Sequence, residues 1–168
     1  DVYKRQESYV NRSVRLAILS PRECAKDIWK HLNELNRHHA TTLKQDKVFL
    51  PEYIGFHDVF KCGLDIPNGD DTKRFMGYSL SEAIKTSAQE FFNGICQYID
   101  VMEREKHEFD VLVIYIPNQL SKMRELKNEN VYFDLHDSLK IYCAGKGIVT
   151  QIIEERSVHT KLSLIHIS

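Results

Sequence analysis

The run Val111–Ile116, VLVIYI, restricts the fold more than any other stretch of this chain. An unbroken apolar strand has no face to show to water, so it must be covered on both sides, as parallel central strands are. Parallel neighbours require long crossovers, usually helical. The flanking sequence provides them. Leu80, Ala83, Ala88, Phe91, Ile95, Ile99 and Met102 keep helical spacing, which predicts one long helix from Ser79 or Ser81 to about Glu105, lying on the sheet. A second buried strand, Val14–Leu19, runs into SPRE, where Ser20 is expected to cap a helix, Pro21 to fit its first turn and Glu23 to complete a capping box. That helix should bury Ala25, Ile28, Trp29, Leu32 and Leu35. Residues 55–67, GFHDVFKCGLDIP, are expected to form a further strand region. Strands alternating with helices in this order predict an α/β domain with a mainly parallel sheet.

Charge and cysteines narrow the functional classes. A net charge of −1 denies the chain a general electrostatic grip on nucleic acid, so any phosphate recognition must be a local site. The cysteines, Cys24, Cys62, Cys96 and Cys143, show neither a C-x-x-C pair nor a zinc-type pattern, and are expected to be reduced thiols of a cytoplasmic protein. No apolar run approaches the roughly 18 residues of a membrane helix. The two ends carry an oddity. DVYKRQ, residues 1–6, can be encoded by GAT GTG TAT AAG AGA CAG, whose reverse complement encodes LSLIHI, the start of the closing LSLIHIS, residues 162–168. Such an inverted repeat looks like a sequencing-adapter scar on a metagenomic fragment. The expected organisation is one domain over 7–161, a piece of something longer, between two adapter-derived ends.

The stretch FDLHDSLKIYCAGKGIVTQ, residues 133–151, carries the most interesting polar pattern. Asp134 should cap a helix that glycine 145 or 147 closes, followed by a strand from Ile148. His136 and Lys140, four apart, then share a helix face. Descending the helix and climbing the next strand brings Gln151 level with them, so the three could converge near the carboxyl edge of the sheet. An imidazole, an ammonium and an amide near a helix start suit an anion, phosphate above all. A solvated helix start fits the same spacing, and Asp134 and Asp137 already satisfy the helix dipole. Other chemistry is weaker. AGKG around Lys146 lacks phosphate-loop spacing, no G-x-G-x-x-G follows a strand, His38 and His39 are adjacent, and His57 and Asp58 would point to opposite faces of a strand. No nucleophile, base and orienter set is evident, so neither catalytic residues nor a metal site are expected.

FDVLVIYIP followed by YFDLHDSLKIYCAGKGIVTQIIEE resembles the MID domain of prokaryotic Argonaute proteins, in particular the short ones made of MID and PIWI domains. The resemblance is specific from about Phe109 to Glu155. It implies a Rossmann-like three-layer domain that anchors the 5′-phosphate of a small guide RNA or DNA, with His136, Lys140 and Gln151 matching the first three positions of the binding motif. A second lysine of that motif would lie beyond this chain, as would the PIWI domain. The resemblance further implies first-base contacts from the loop after Ile116, at Asn118 and Gln119, and no catalytic role for this segment. It implies no cofactor here, although a divalent cation at the guide 5′-phosphate is compatible with the full-length protein. The implied partners are the guide, a complementary target and an associated effector protein, in prophage or plasmid defence, with no membrane. The alternative is an α/β enzyme or small-molecule domain that binds a phosphorylated metabolite.

Overall fold

A computed structural model describes residues 13–38, 52–128 and 131–155; for 126–128 and 131 the backbone alone is described. The adapter-like ends, 1–6 and 162–168, lie outside the described residues.

Strand β1 (Val14–Pro21) occupies the middle of a five-stranded, wholly parallel sheet. On one side it pairs first with β2 (Leu64–Asp65) and then with β3 (Phe75–Tyr78), which share that edge in succession. On its other side stands β4 (Val111–Ile116), and β7 (Thr150–Glu154) pairs with β4. The expected mainly parallel α/β architecture is therefore present. The apolar run explains its place: Leu112, Ile114 and Ile116 join one core cluster while Val113 and Tyr115 join the other. Full burial of a side chain such as Ile114 contributes about 1.5–3 kcal/mol.

Helices cover both faces, giving three layers. Helix α1 (Ala25–Glu34) buries Ile28 and Leu32 against Leu16, Ile18, Val113 and Tyr115. On the opposite face α4 (Ala88–Glu103) and α5 (Leu135–Gly145) pack Ile95, Ile99, Leu139 and Cys143 against Ala17, Leu19 and Ile114. No described helix is long and apolar enough to cross a membrane.

Several local expectations give way to competing contacts. Ser20 does not cap α1. It is fully buried at the end of β1, its hydroxyl donating to the Pro21 carbonyl, because pairing with β3 carries the strand through Pro21. Glu23 instead accepts from the Leu80 N–H, and a 3₁₀ turn, Arg22–Cys24, precedes α1. Trp29 is 43% exposed rather than part of the buried stripe. The long helix expected from Ser79 is two: α3 (Leu80–Ala83) and α4, separated where Ser87 and Glu90 form a reciprocal capping box. Residues 55–67 contain a short helix, α2 (Phe56–Phe60), before the two-residue β2. Gly55, at φ 99°, turns the chain there, and the Phe56 and Phe60 rings meet at 4.6 Å, the contact available one helical turn apart. His57 and Asp58 are accordingly helical neighbours, Nδ1 to Oδ1 3.4 Å, not residues of a strand.

Between β4 and α5 a 3₁₀ segment, Asn118–Met123, leads into an antiparallel hairpin of β5 (Glu125–Asn128) and β6 (Val131–Asp134). Leu120 and Met123 anchor the segment in the core. The sequence QLSKMRELKNEN has plain helical composition, but strand pairing overrides that weak preference.

Candidate functional site

The start of α5 is fixed from two directions. Asp134 ends β6 and caps the helix, its carboxylate accepting from the Asp137 N–H at 2.9 Å, as expected. The Leu135 N–H donates to the Arg124 carbonyl at 2.8 Å, tying the helix start to the segment that follows β4. Leu135, Leu139 and Cys143 face the core, so positions 136 and 140 look away from it. At the other end Gly147, at φ 68°, closes the helix: its N–H donates to the Ala144 carbonyl and the Ile148 N–H to that of Cys143, both at 3.0 Å. This is a Schellman motif. The strand begins at Thr150, later than the expected Ile148.

Above the carboxyl ends of β4 and β7 lies a cavity of about 360 Å³ whose lining includes Ile116, Ile152, Arg124, Glu154, Asp134 and His136. Its place is the one where ligands sit in parallel α/β sheets. The His136 ring is 41% exposed, with Nδ1 3.3 Å from an oxygen of Asp137. Deeper in, Arg124 Nη2 lies 3.3 Å from Glu154 Oε2, the two side chains only 21% and 17% exposed. One residue on, Glu155 accepts the Asn118 N–H at 2.8 Å, which holds the segment after β4 against the end of β7.

His136 thus reaches the cavity, and the other expected residues stand elsewhere. Lys140, one turn along α5, lines a separate open hollow with Ala144, Gly147, Ile148, Val149 and Thr150. Gln151 is in register with Val113 and alternates with Ile152, which places it on the sheet face covered by α1. Its amide donates to the Ile152 carbonyl at 3.3 Å. Asn118 and Gln119 are exposed at the start of the 3₁₀ segment, just beyond β4.

Arg124 and Glu154 are the cavity residues that spacing along the sequence does not point to. Glu154 could have been found by alternation from Ile152, which puts both on the α5 face; Arg124 arrives at the end of the 3₁₀ segment, whose turn-by-turn course composition hides. Ligand atoms of Asp134, His136 and Asp137 lie within 4.8 Å of one another. Two carboxylates and an imidazole are donors suited to a divalent cation, although Asp134 already accepts the capping N–H. Burial pushes the Cys24 and Cys96 thiols up to about 11, so both stay protonated near neutral pH. All four cysteines are free.

No protein-family model matches this chain, and no curated protein matches it either.

Proposed function

We propose that the chain anchors the 5′-phosphorylated end of a small guide nucleic acid, as the MID domain of a prokaryotic Argonaute. The observation that carries this reading is the cavity at the carboxyl edge of β4 and β7, where the capped start of α5 and the His136 ring stand beside the segment leaving β4. In this reading the guide's terminal phosphate lies in the cavity beside the His136 ring, the Lys140 ammonium approaches it along α5 from the neighbouring hollow, and the first base extends toward Asn118 and Gln119. Gln151 is left out of the direct contacts, since its side chain leaves the other face of the sheet. A divalent cation held by Asp134, His136 and Asp137 would offset the negative charge shared by these carboxylates and a phosphate. The reading assigns no catalytic residue to the chain.

The second reading, a pocket for a phosphorylated metabolite, is favoured by the cavity's volume, which lies within the range of about 300–1,000 Å³ usual for small ligands. Labelled single-stranded RNA and DNA oligonucleotides, each with a 5′-phosphate or a 5′-hydroxyl, separate the two. Guide anchoring predicts tighter binding of the phosphorylated form. Equal binding of both forms, with competition by small sugar phosphates, favours the metabolite.

A further inference from the structure

Arg124 is positioned by its backbone. Its N–H donates to the Ser121 carbonyl at 3.2 Å and its own carbonyl accepts the Leu135 N–H at 2.8 Å, so the residue joins the end of the 3₁₀ segment to the first residue of α5. The side chain is thereby held on the cavity wall. A guanidinium presents five N–H donors in a planar fork that fits two oxygens of one anion. Here that fork is poorly used: the approach to Glu154 is 3.3 Å through one nitrogen, and the buried Nε and Nη2 atoms have no hydrogen-bond partner. Charge proximity without matched hydrogen bonds leaves donor capacity unspent in a partly desolvated place.

The remaining carboxylates around the cavity bear on whether an anion can enter. Asp137 is 76% exposed and Glu125 is also exposed, so solvent and salt screen them. Asp134 is engaged in capping the helix. Arg124 and Glu154, only 21% and 17% exposed, are charges of the wall that oppose each other. An incoming phosphate offers three terminal oxygens to the fork where Glu154 now offers one.

We propose that Arg124 binds the terminal phosphate of the ligand and that Glu154 is the internal carboxylate the phosphate displaces from it. This rests on the anion-binding reading of the cavity and adds the residue that reads the anion and the one that guards it. Selectivity lies in the guanidinium, whose fork a phosphate can fill and a 5′-hydroxyl cannot, while Glu154 sets the affinity, because the phosphate must displace it.

The test uses the full chain and the variants Glu154→Gln, Arg124→Gln, Arg124→Lys and Glu154→Gln combined with Arg124→Gln, with circular dichroism to verify folding. The probes are oligonucleotides with a 5′-phosphate or 5′-hydroxyl, and inorganic phosphate alone. Glu154→Gln is expected to tighten phosphorylated oligonucleotide about ten-fold, the effect of one charge-assisted contact, and to leave the hydroxyl form unchanged. Arg124→Gln should lower the preference about ten-fold and remove the gain from Glu154→Gln. Should Arg124→Gln fail to fold, Arg124→Lys, which keeps the charge and loses the fork, is expected to reduce the preference. Preference retained in the arginine variants, with no gain from Glu154→Gln, overturns this inference and leaves guide anchoring standing. Arg124-dependent binding of inorganic phosphate without any oligonucleotide preference does the reverse. If the parent chain binds neither inorganic phosphate nor the phosphorylated oligonucleotide in preference to the hydroxyl form, both fall.

Discussion

Lys140 and His136 sit one helical turn apart on α5 but serve different hollows, so their contributions to binding are separable. Under guide anchoring, Lys140→Ala removes a charge-assisted contact of about 1.5–3 kcal/mol, which lowers affinity for a 5′-phosphorylated guide at least ten-fold. Affinity for the 5′-hydroxyl guide should be unchanged, as measured by equilibrium binding. Equal loss for both forms would make Lys140 a general backbone contact instead. The residue scale also shows what sequence can and cannot convey. Helical spacing is fixed, so the common stripe of His136 and Lys140 was legible. The phase of β7 depends on how many residues the Schellman turn consumes before the first sheet pairing at Thr150, and that decides which face receives Gln151. Arg124, at the end of the 3₁₀ segment, and Glu154, at the end of β7, meet thirty residues apart in the chain, so their pairing had no local trace.

Elements with strong chemical punctuation were legible, and those defined by pairing partners were not. The run Val111–Ile116 and the Asp134 cap declare themselves, whereas β3 depends on a partner far along the chain and the β5–β6 hairpin is written in residues of helical composition. Gly147 is the clearest test of such punctuation. A Cβ there would meet nothing within 4 Å, so any cost is conformational rather than steric crowding with neighbours. Gly147→Ala should destabilise the fold by about 1–2 kcal/mol, the penalty for a left-handed non-glycine residue, seen as a lower midpoint in urea. The same helix end is clamped to α4. Lys146 Nζ lies 2.7 Å from Asp100 and 3.0 Å from Glu103, and Tyr142 donates to Asp100 at 2.8 Å. The hydrogen bond from Lys146, then that from Tyr142, holds the Asp100 carboxyl below its usual range. A lowered carboxyl value stabilises the fold above the unfolded-state value of about 3.9 and stops doing so as pH falls through the folded value. The melting temperature of the parent should therefore drop more steeply on acidification below about pH 4 than that of Lys146→Met. Parallel pH profiles would show that the clamp contributes nothing.

For the molecule as a whole, sheet order decides where a ligand can be read. The chain leaves β1 toward β2 and β3 on one side and returns to β4 on the other, so the switch in direction falls between β1 and β4 at their carboxyl ends. The 3₁₀ segment Asn118–Met123 starts at that point and leads to Arg124, on the wall of the cavity beyond β4. It therefore connects the two places at the sheet edge where a parallel α/β fold can hold a ligand. Asn118 is fastened through its backbone N–H to Glu155, which leaves the exposed amides of Asn118 and Gln119 as groups able to pair with base edges. Replacing both by alanine keeps the backbone bond, so stability should stay within about 0.5 kcal/mol of the parent, as for surface positions without packing. Guide anchoring then predicts that any preference for the first nucleotide flattens across a set of guides differing only at that base, while discrimination between 5′-phosphate and 5′-hydroxyl persists. The opposite outcome, phosphate discrimination lost with base preference kept, would move the phosphate from the α5 side of the edge to the switch point between β1 and β4.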